Sequence, residues 1–261
     1  MVSLMGILNL SPDSFLASSR YDTLGAADAV SRLESEGASI IDIGAVSSRP
    51  GAAEVGEEEE WRRLEGFLRL ISKMEGRKAA LSIDTTNSET VRRAFDIVGP
   101  FIVNDISAGQ DDSRMLSTVA ELGLGYIAMH RRGNPRTMDS LARYPEGVVK
   151  EVLRYFEVFS LKAAEAGITE WILDPGFGFA KTREQNLELL HGLGSLKCFS
   201  RKILAGIADK RFTRETLPDG REINRSTEYN VEAALLGASI LRVHDVALTR
   251  QALEKNDIAY A

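Results

Sequence analysis

The chain has 261 residues, of which 44% are hydrophobic and 27% charged, and its formal net charge at pH 7 is −6. This length suits one large α/β domain or two small ones, and the 32 scattered Lys and Arg residues argue against nucleic acid or an anionic membrane as a partner. No apolar stretch approaches the length of a membrane span and no signal peptide is present, so we expect a cytoplasmic protein.

Short apolar segments alternate with amphipathic segments along the chain. The predicted strands cover residues 3–8, 39–44, 79–84, 101–105, 125–130, 170–176, 202–207 and 239–245. Between them, apolar residues return at helical spacing in segments 24–38, 57–74, 88–96, 146–167, 182–193 and 227–238. Strands joined by helical crossovers are parallel, and eight such units in this length predict a single-domain (β/α)8 TIM barrel over residues 1–261. A doubly wound open sheet is the alternative, because one sequence does not reveal strand order.

Polar residues follow the predicted strands at their C-terminal ends. They are Asn9, Asp42, Asp84, Asn104 with Asp105, His130, Asp174, Lys210, and Arg242 with His244. Barrel enzymes carry their active sites on this face, so we expect these side chains to meet around one mouth. Helix capping or turn formation would explain any one Asp or Asn, but it does not account for the whole set.

The acidic and amide residues of this set favour a planar nitrogen heterocycle as ligand. Asp84, Asn104 and Asp174 would offer acceptors to an aminopyrimidinone ring, whose amino group and ring nitrogen both donate.

The basic residues of the set favour an anion. Lys210, Arg242 and His244 suit a phosphate or pyrophosphate, with a salt bridge to Asp245 or a helix cap as the alternative for the last two.

Cysteine and histidine usage limits the possible metals. Cys198 is the single cysteine, which excludes an intramolecular disulfide, and its apolar neighbourhood predicts a buried, unreactive thiol. His130, His191 and His244 lack metal-ligand spacing. The sequence argues against structural zinc but is compatible with a hard cation such as Mg²⁺.

Seven segments, in order, resemble the motifs of the dihydropteroate synthase family. They read MGILNLSPDSF at 5–15, DIGAVSSRPGA at 42–52, LSIDTT at 81–86, VNDISAG at 103–109, MHRRGNPRTM at 129–138, ILDPGFGFAKT at 172–182 and ILRVHDV at 240–246. The resemblance covers nearly the whole chain. It implies a barrel enzyme that joins 7,8-dihydropterin-6-ylmethyl diphosphate to 4-aminobenzoate in folate synthesis, with Mg²⁺ as cofactor and commonly a homodimer.

The resemblance also implies roles for individual residues. Those expected to hold the pterin are Asp84, Asn104, Asp174 and Lys210, with Met129 and Phe179 lining its pocket. Those expected to serve the diphosphate are Asn9, through the magnesium, and Arg49, Arg242 and His244. Ser48 stands where the family usually has Thr and would help to bind the aminobenzoate. The expected catalytic set is Asn9, Asp84, Lys210, Arg242 and His244.

The chain departs from the family pattern near the second substrate. Ala17 and Val46 each replace a usual acidic residue, and Ala180 replaces a glycine. Ala208 and Asp209 stand where Ser and Arg usually precede the lysine. Two other functions therefore stay open: a pterin domain of the methyltetrahydrofolate-dependent corrinoid methyltransferase type, and a pterin-binding protein with weak or no catalysis.

Overall fold

The structure is a computed structural model that describes residues 1–10, 23–46, 55–134 and 136–261. The strands are β1 (Ser3–Asn9), β2 (Ile40–Gly44), β3 (Ala80–Asp84), β4 (Ile102–Asp105), β5 (Gly125–Met129), β6 (Trp171–Asp174), β7 (Leu204–Ala205), β8 (Arg214–Thr216), β9 (Glu222–Asn224) and β10 (Ile240–Val243). Within the described residues, eight of them form one parallel sheet in the order β6-β5-β4-β3-β2-β1-β10-β7. A parallel bridge from Leu173 of β6 to Ile203, beside β7, joins the two ends of this sheet into a nearly closed barrel.

Helices surround the sheet. They are α1 (Thr23–Glu36), α2 (Glu57–Ile71), α3 (Ser88–Val98), α4 (Met115–Leu122), α5 (Val148–Ala166), α6 (Arg183–His191), α7 (Ser226–Leu236) and α8 (Val246–Lys255). The predicted TIM barrel is confirmed, and the open doubly wound sheet is wrong. Within the described ranges, no helix combines the length and apolar character that crossing a bilayer requires.

Helix α5 shows how an amphipathic sequence builds the outer layer. Its buried residues Val152, Phe156, Phe159 and Ala163 recur every three or four positions and therefore share one face. The ring centroids of Phe156 and Phe159 lie 6.1 Å and 5.0 Å, respectively, from the ring centroid of Trp171 at the start of β6. This packing fixes β6, and with it the position of Asp174 at the strand's other end.

An apolar plug fills the barrel interior below the mouth. Met5, Ile40, Ile127, Leu204 and Ile240 come from five strands and form one buried cluster. Interior layers of this kind make a TIM barrel a packed core and not a pore, so polar chemistry is confined to the strand ends above.

Two surface features differ from expectation. Cys198 is exposed, so the prediction of a buried thiol is wrong. It lies on a 3-10 turn, Leu193–Phe199, whose buried Leu193 and Leu196 occupy a face that Cys198 does not share. The antiparallel hairpin of β8 and β9, between β7 and α7, was not predicted.

Candidate active site

The strand register brings several predicted site residues into one row. Asn9 pairs with Gly44, Gly44 with Asp84, and Asp84 with Asn104 across strands β1 to β4. Next to them, Met129 of β5 is level with Asp174 of β6. Because neighbouring strands in a sheet lie about 4.8 Å apart, these side chains border a common opening.

A buried carboxylate lies one layer below this row and binds one of its members, Asn104. Asp42 is fully buried and accepts hydrogen bonds from Ser82 Oγ at 2.6 Å and Asn104 Nδ2 at 3.0 Å. It also accepts from Arg242 Nε at 2.6 Å. The sequence placed Asp42 at a strand end but assigned it no role, because its partners are distant in sequence.

Arg242 bridges two carboxylates. Besides the bond to Asp42, its Nη2 donates to Asp84 Oδ2 at 2.9 Å, so the guanidinium reaches past β1 to both β2 and β3. Asp245, the partner considered from sequence, instead caps α8 by accepting from Leu248 N at 2.8 Å. The charge of Arg242 is thus shared with the acidic side of the mouth.

Asp84 is poised to titrate near neutral pH. Burial raises the pKa of its carboxyl to about 7; the positive charge of Arg242 opposes the shift, while the carboxylates of Asp42, Glu60 and Asp105 add to it. Asp84 is therefore able either to accept or to donate a hydrogen bond in the range where enzymes usually work.

The opposite side of the mouth combines a cation with apolar side chains. Lys210 Nζ lies 4.3 Å from the ring centroid of Phe179, and the ring packs in one buried cluster with Met129 and Met138. Burial lowers the pKa of Lys210 to about 8, aided by the Arg242 charge and opposed by Asp174. A flat ligand here would meet a ring, a thioether and a cation.

Asp174 forms the deep acidic end of this side. It is 7% exposed, and its Oδ1 accepts from Gly176 N at 2.8 Å. Burial raises the pKa of its carboxyl, and the Gly176 N–H and the Lys210 charge oppose that shift. The fixed carboxylate can accept further hydrogen bonds from a ligand.

The remaining predicted residues divide between described and undescribed parts of the chain. Asn9 and His244 lie exposed at the ends of β1 and β10. Ser48 and Arg49, like Ala17, lie outside the described residues.

The described departures from the family pattern have local consequences. Ala180 adopts φ +50°, a left-handed conformation that usually favours glycine. Ala208 packs against the core. Asp209 accepts a hydrogen bond from Asn224 Nδ2 of the β8–β9 hairpin at 2.9 Å, so this acidic side chain is tied to the hairpin.

The donor set beside Gly44 fits the Mg²⁺ that the resemblance implies. A Cβ placed on Gly44 would lie 3.7 Å from both Asn9 Oδ1 and Asp84 Oδ2, so two hard oxygen donors lie close to the same glycine. The described part of the chain holds no group of three or more His, Cys, Asp or Glu side chains suited to a metal. Few protein oxygens and reliance on substrate phosphates are typical of Mg²⁺.

A barrel with carboxylates, an amide and half-buried cations at its mouth is typical of an enzyme that acts on a small molecule. The chain belongs to the pterin binding enzyme family, whose profile matches residues 5–244.

Within that family the similarity is to dihydropteroate synthases. The Escherichia coli K12 dihydropteroate synthase is 37% identical over 254 residues, covering 95% of this chain and 88% of that protein. The Xanthomonas albilineans dihydropteroate synthase solved with 4-aminobenzoic acid has a TM-score of 0.84 and 35% identity, covering 98% of this chain and 92% of that one. The same enzyme solved with 7,8-dihydropteroate has a TM-score of 0.81 and 33% identity, with 98% and 92% covered.

Proposed function

We propose that this chain is a dihydropteroate synthase that joins 7,8-dihydropterin-6-ylmethyl diphosphate to 4-aminobenzoate. The observation that carries the proposal is the mouth itself, where Asp84, Asn104 and Asp174 lie in one opening with Lys210 and Arg242. The first three match the donors of an aminopyrimidinone, and the cations match a diphosphate. The relatives named for this activity support the same conclusion.

The reaction breaks the bond between the pterin methylene carbon and the diphosphate oxygen. The bond electrons leave with pyrophosphate, the aniline nitrogen of 4-aminobenzoate forms the new C–N bond, and that nitrogen then loses a proton. Positive charge develops on the pterin methylene as the leaving group departs, so stabilising pyrophosphate is the main task of the protein.

The described residues divide this task between two sides of the mouth. Asp174 and Asn104 would accept from and orient the pterin ring, against the face formed by Phe179 and Met129. Lys210 adds positive charge over that face.

The diphosphate would lie toward the other side of the mouth. There Arg242 and His244 would bind phosphate oxygens, with Ser48 and Arg49 as further predicted contacts from a part of the chain outside the described residues. Asn9 would hold the Mg²⁺, with Asp84 nearby, and the ion would supply charge neutralisation of the diphosphate.

A homodimer and a cytoplasmic location complete the proposal. Both follow from the family resemblance and from the sequence composition, and both stay predictions. Analytical ultracentrifugation of the purified chain tests the dimer directly.

The deciding experiment measures pyrophosphate release from the pterin diphosphate and Mg²⁺, with and without 4-aminobenzoate. A dihydropteroate synthase releases pyrophosphate in amounts that match the dihydropteroate formed. It releases pyrophosphate at a high rate only when 4-aminobenzoate is present. A Lys210→Met variant should lose most of this rate, whereas Lys150→Met, which alters an exposed lysine of α5, should retain it.

Titration of the protein with the pterin diphosphate, combined with this release assay, separates the two alternative functions. A non-catalytic pterin-binding protein would bind the pterin diphosphate without aminobenzoate-dependent release. A methyltransferase-type domain would bind pterins with no preference for the diphosphate. Retention of Lys210, Arg242 and His244 at the mouth favours a diphosphate ligand and argues against that second alternative.

A further inference from the structure

Lys181 is a buried lysine that has no place in the chemistry described above. It is 9% exposed, and its Nζ donates to the carbonyl oxygens of Gly176 at 2.8 Å and Phe179 at 3.0 Å. The same Nζ lies 3.1 Å from His130 Nδ1. An ammonium has three N–H groups, and these contacts offer one acceptor to each.

His130 serves as the third acceptor because it is neutral. Burial lowers the pKa of its imidazole well below 6.5, and the charges of Lys181 and Arg132 lower it further. Its ring stands edge-on to Tyr155 at 4.9 Å between centroids, which fixes its orientation. The ammonium therefore ties the loop after β6 to the end of β5.

That loop has an unusual backbone. Gly176, Gly178 and Ala180 adopt φ values of +71°, +76° and +50° within seven residues of Asp174. A Cβ on Gly176 would lie 2.0 Å from His130 O, so the two loops touch through their backbones. A left-handed alanine persists only where its surroundings impose that conformation.

The same loop forms one wall of the mouth. Phe179, whose carbonyl Lys181 binds, places its ring against Met129 and 4.3 Å from Lys210 Nζ. Gly176, whose carbonyl Lys181 also binds, donates its N–H to Asp174. Both ends of the predicted pterin contact surface thus depend on carbonyls held by one ammonium.

We propose that Lys181 is a positioning residue for the pterin subsite, which fixes the loop 174–180 so that the Phe179 ring and the Asp174 carboxylate face the ligand. This inference rests on the proposed function. It differs from a general structural role because a side chain other than that of Lys181 also holds the loop: Asn186 of α6 accepts from Gly178 N at 2.7 Å.

The first test compares Lys181→Met with Lys150→Met. Methionine keeps the length of the side chain and removes all three donors. Below the pKa of Lys181, which burial lowers to about 7, the variant should raise KM for the pterin diphosphate about tenfold or more, since charged hydrogen bonds of this kind are worth that much. KM for 4-aminobenzoate should stay within about twofold of wild type, and Lys150→Met should change neither value.

A second pair of variants keeps the test decisive if Lys181→Met does not fold. His130→Asn places an amide oxygen near the position of Nδ1 and should preserve the pterin KM. His130→Leu fills a similar volume without an acceptor and should raise the KM for the pterin diphosphate. Circular dichroism and thermal melting establish that each variant is folded.

The outcomes distinguish this inference from the proposed function. If wild type shows no pyrophosphate release, the proposed function fails. If wild type is active but His130→Asn and His130→Leu have equal pterin KM values, the positioning role is wrong. A folded Lys181→Met that lowers the melting temperature and raises both KM values equally would also overturn it, because that result describes a structural lysine.

Discussion

The buried carboxylate of Asp42 offers the sharpest test of how the mouth is held together. It receives three hydrogen bonds, from Ser82, Asn104 and Arg242, and it is fully buried. Asp42→Asn keeps the shape and removes the charge. Its amide oxygen can accept from Arg242 and Asn104, while its NH2 group can donate to Ser82 after the serine hydroxyl rotates. The variant therefore isolates the contribution of the charge.

The expected costs follow from these contacts. A hydrogen bond to a charged group is worth about 1.5–3 kcal/mol and a neutral one about 0.5–1.5 kcal/mol, so Asp42→Asn should lower the free energy of unfolding by roughly 2 kcal/mol. Asp42→Leu leaves three donors unmatched and a half-buried guanidinium with one carboxylate, which should cost about 3–5 kcal/mol. Ser82→Ala removes one hydrogen bond to the charged carboxylate and should cost about 1.5–3 kcal/mol.

Urea unfolding followed by tryptophan fluorescence measures these differences, because Trp171 packs in the core against α5. We predict that Asp42→Leu lowers the free energy of unfolding more than either Asp42→Asn or Ser82→Ala does. If Asp42→Asn lowers the free energy of unfolding by less than about 0.5 kcal/mol, the charge on Asp42 does not hold Arg242, and the described pairing is wrong.

The same variant should also shift a pH profile. The negative charge of Asp42 is one cause of the raised pKa of Asp84, and Arg242 opposes it. Removing Asp42 leaves Asp84 as the remaining carboxylate partner of Arg242, so the pKa of Asp84 falls below about 7. Any limb of the pyrophosphate-release profile that Asp84 controls should therefore move to lower pH in Asp42→Asn.

Three further variants test other parts of the site. Asp174→Asn should raise the pterin Kd about tenfold or more, because an amide presents a donor to a donor-rich ring; unchanged binding in a fluorescence titration would contradict that contact. His244→Ala should weaken binding of the pterin diphosphate but spare a pterin that lacks the diphosphate; equal losses would remove its assigned role. Burial raises the pKa of Glu60, so its protonated form favours folding, and this stabilisation is lost as pH rises through the raised pKa. Glu60→Gln should therefore gain stability relative to wild type as pH rises. A difference in free energy of unfolding between the two proteins that stays constant with pH, measured by urea unfolding, would refute this.

The barrel was predictable because its signal is local. Buried parallel strands are short apolar runs, and each of the eight predicted runs overlaps a barrel strand among the described residues. The β8–β9 hairpin gave no such signal. Its three-residue strands, Arg214–Thr216 and Glu222–Asn224, have exposed or half-buried side chains, so no apolar alternation marks them.

The strand-end positions of the described candidate residues were predictable, but their pairings were not. A polar residue at a strand end marks the mouth whatever it contacts. The partners of Asp42 lie 40, 62 and 200 residues away, so only the closed barrel brings them together. Lys181 precedes α6, and nothing in the sequence distinguishes it from a surface lysine. Its Nζ nevertheless donates to two carbonyl oxygens of the loop 174–180, those of Gly176 and Phe179.

The pairing of Arg242 changes what its prediction as a diphosphate ligand means. A guanidinium has five N–H donors, and among the described contacts Nε and Nη2 are directed at Asp42 and Asp84. The other donors can still meet a phosphate oxygen, in an orientation that the two carboxylates impose. Burial raises the pKa of Asp84 to about 7, so Asp84 can be protonated near neutral pH. A protonated Asp84 would no longer neutralise part of the Arg242 charge, and Arg242 would then attract a bound anion more strongly. In the proposed reaction, stabilisation of the leaving pyrophosphate would therefore be coupled to the protonation of Asp84 through the Arg242 side chain.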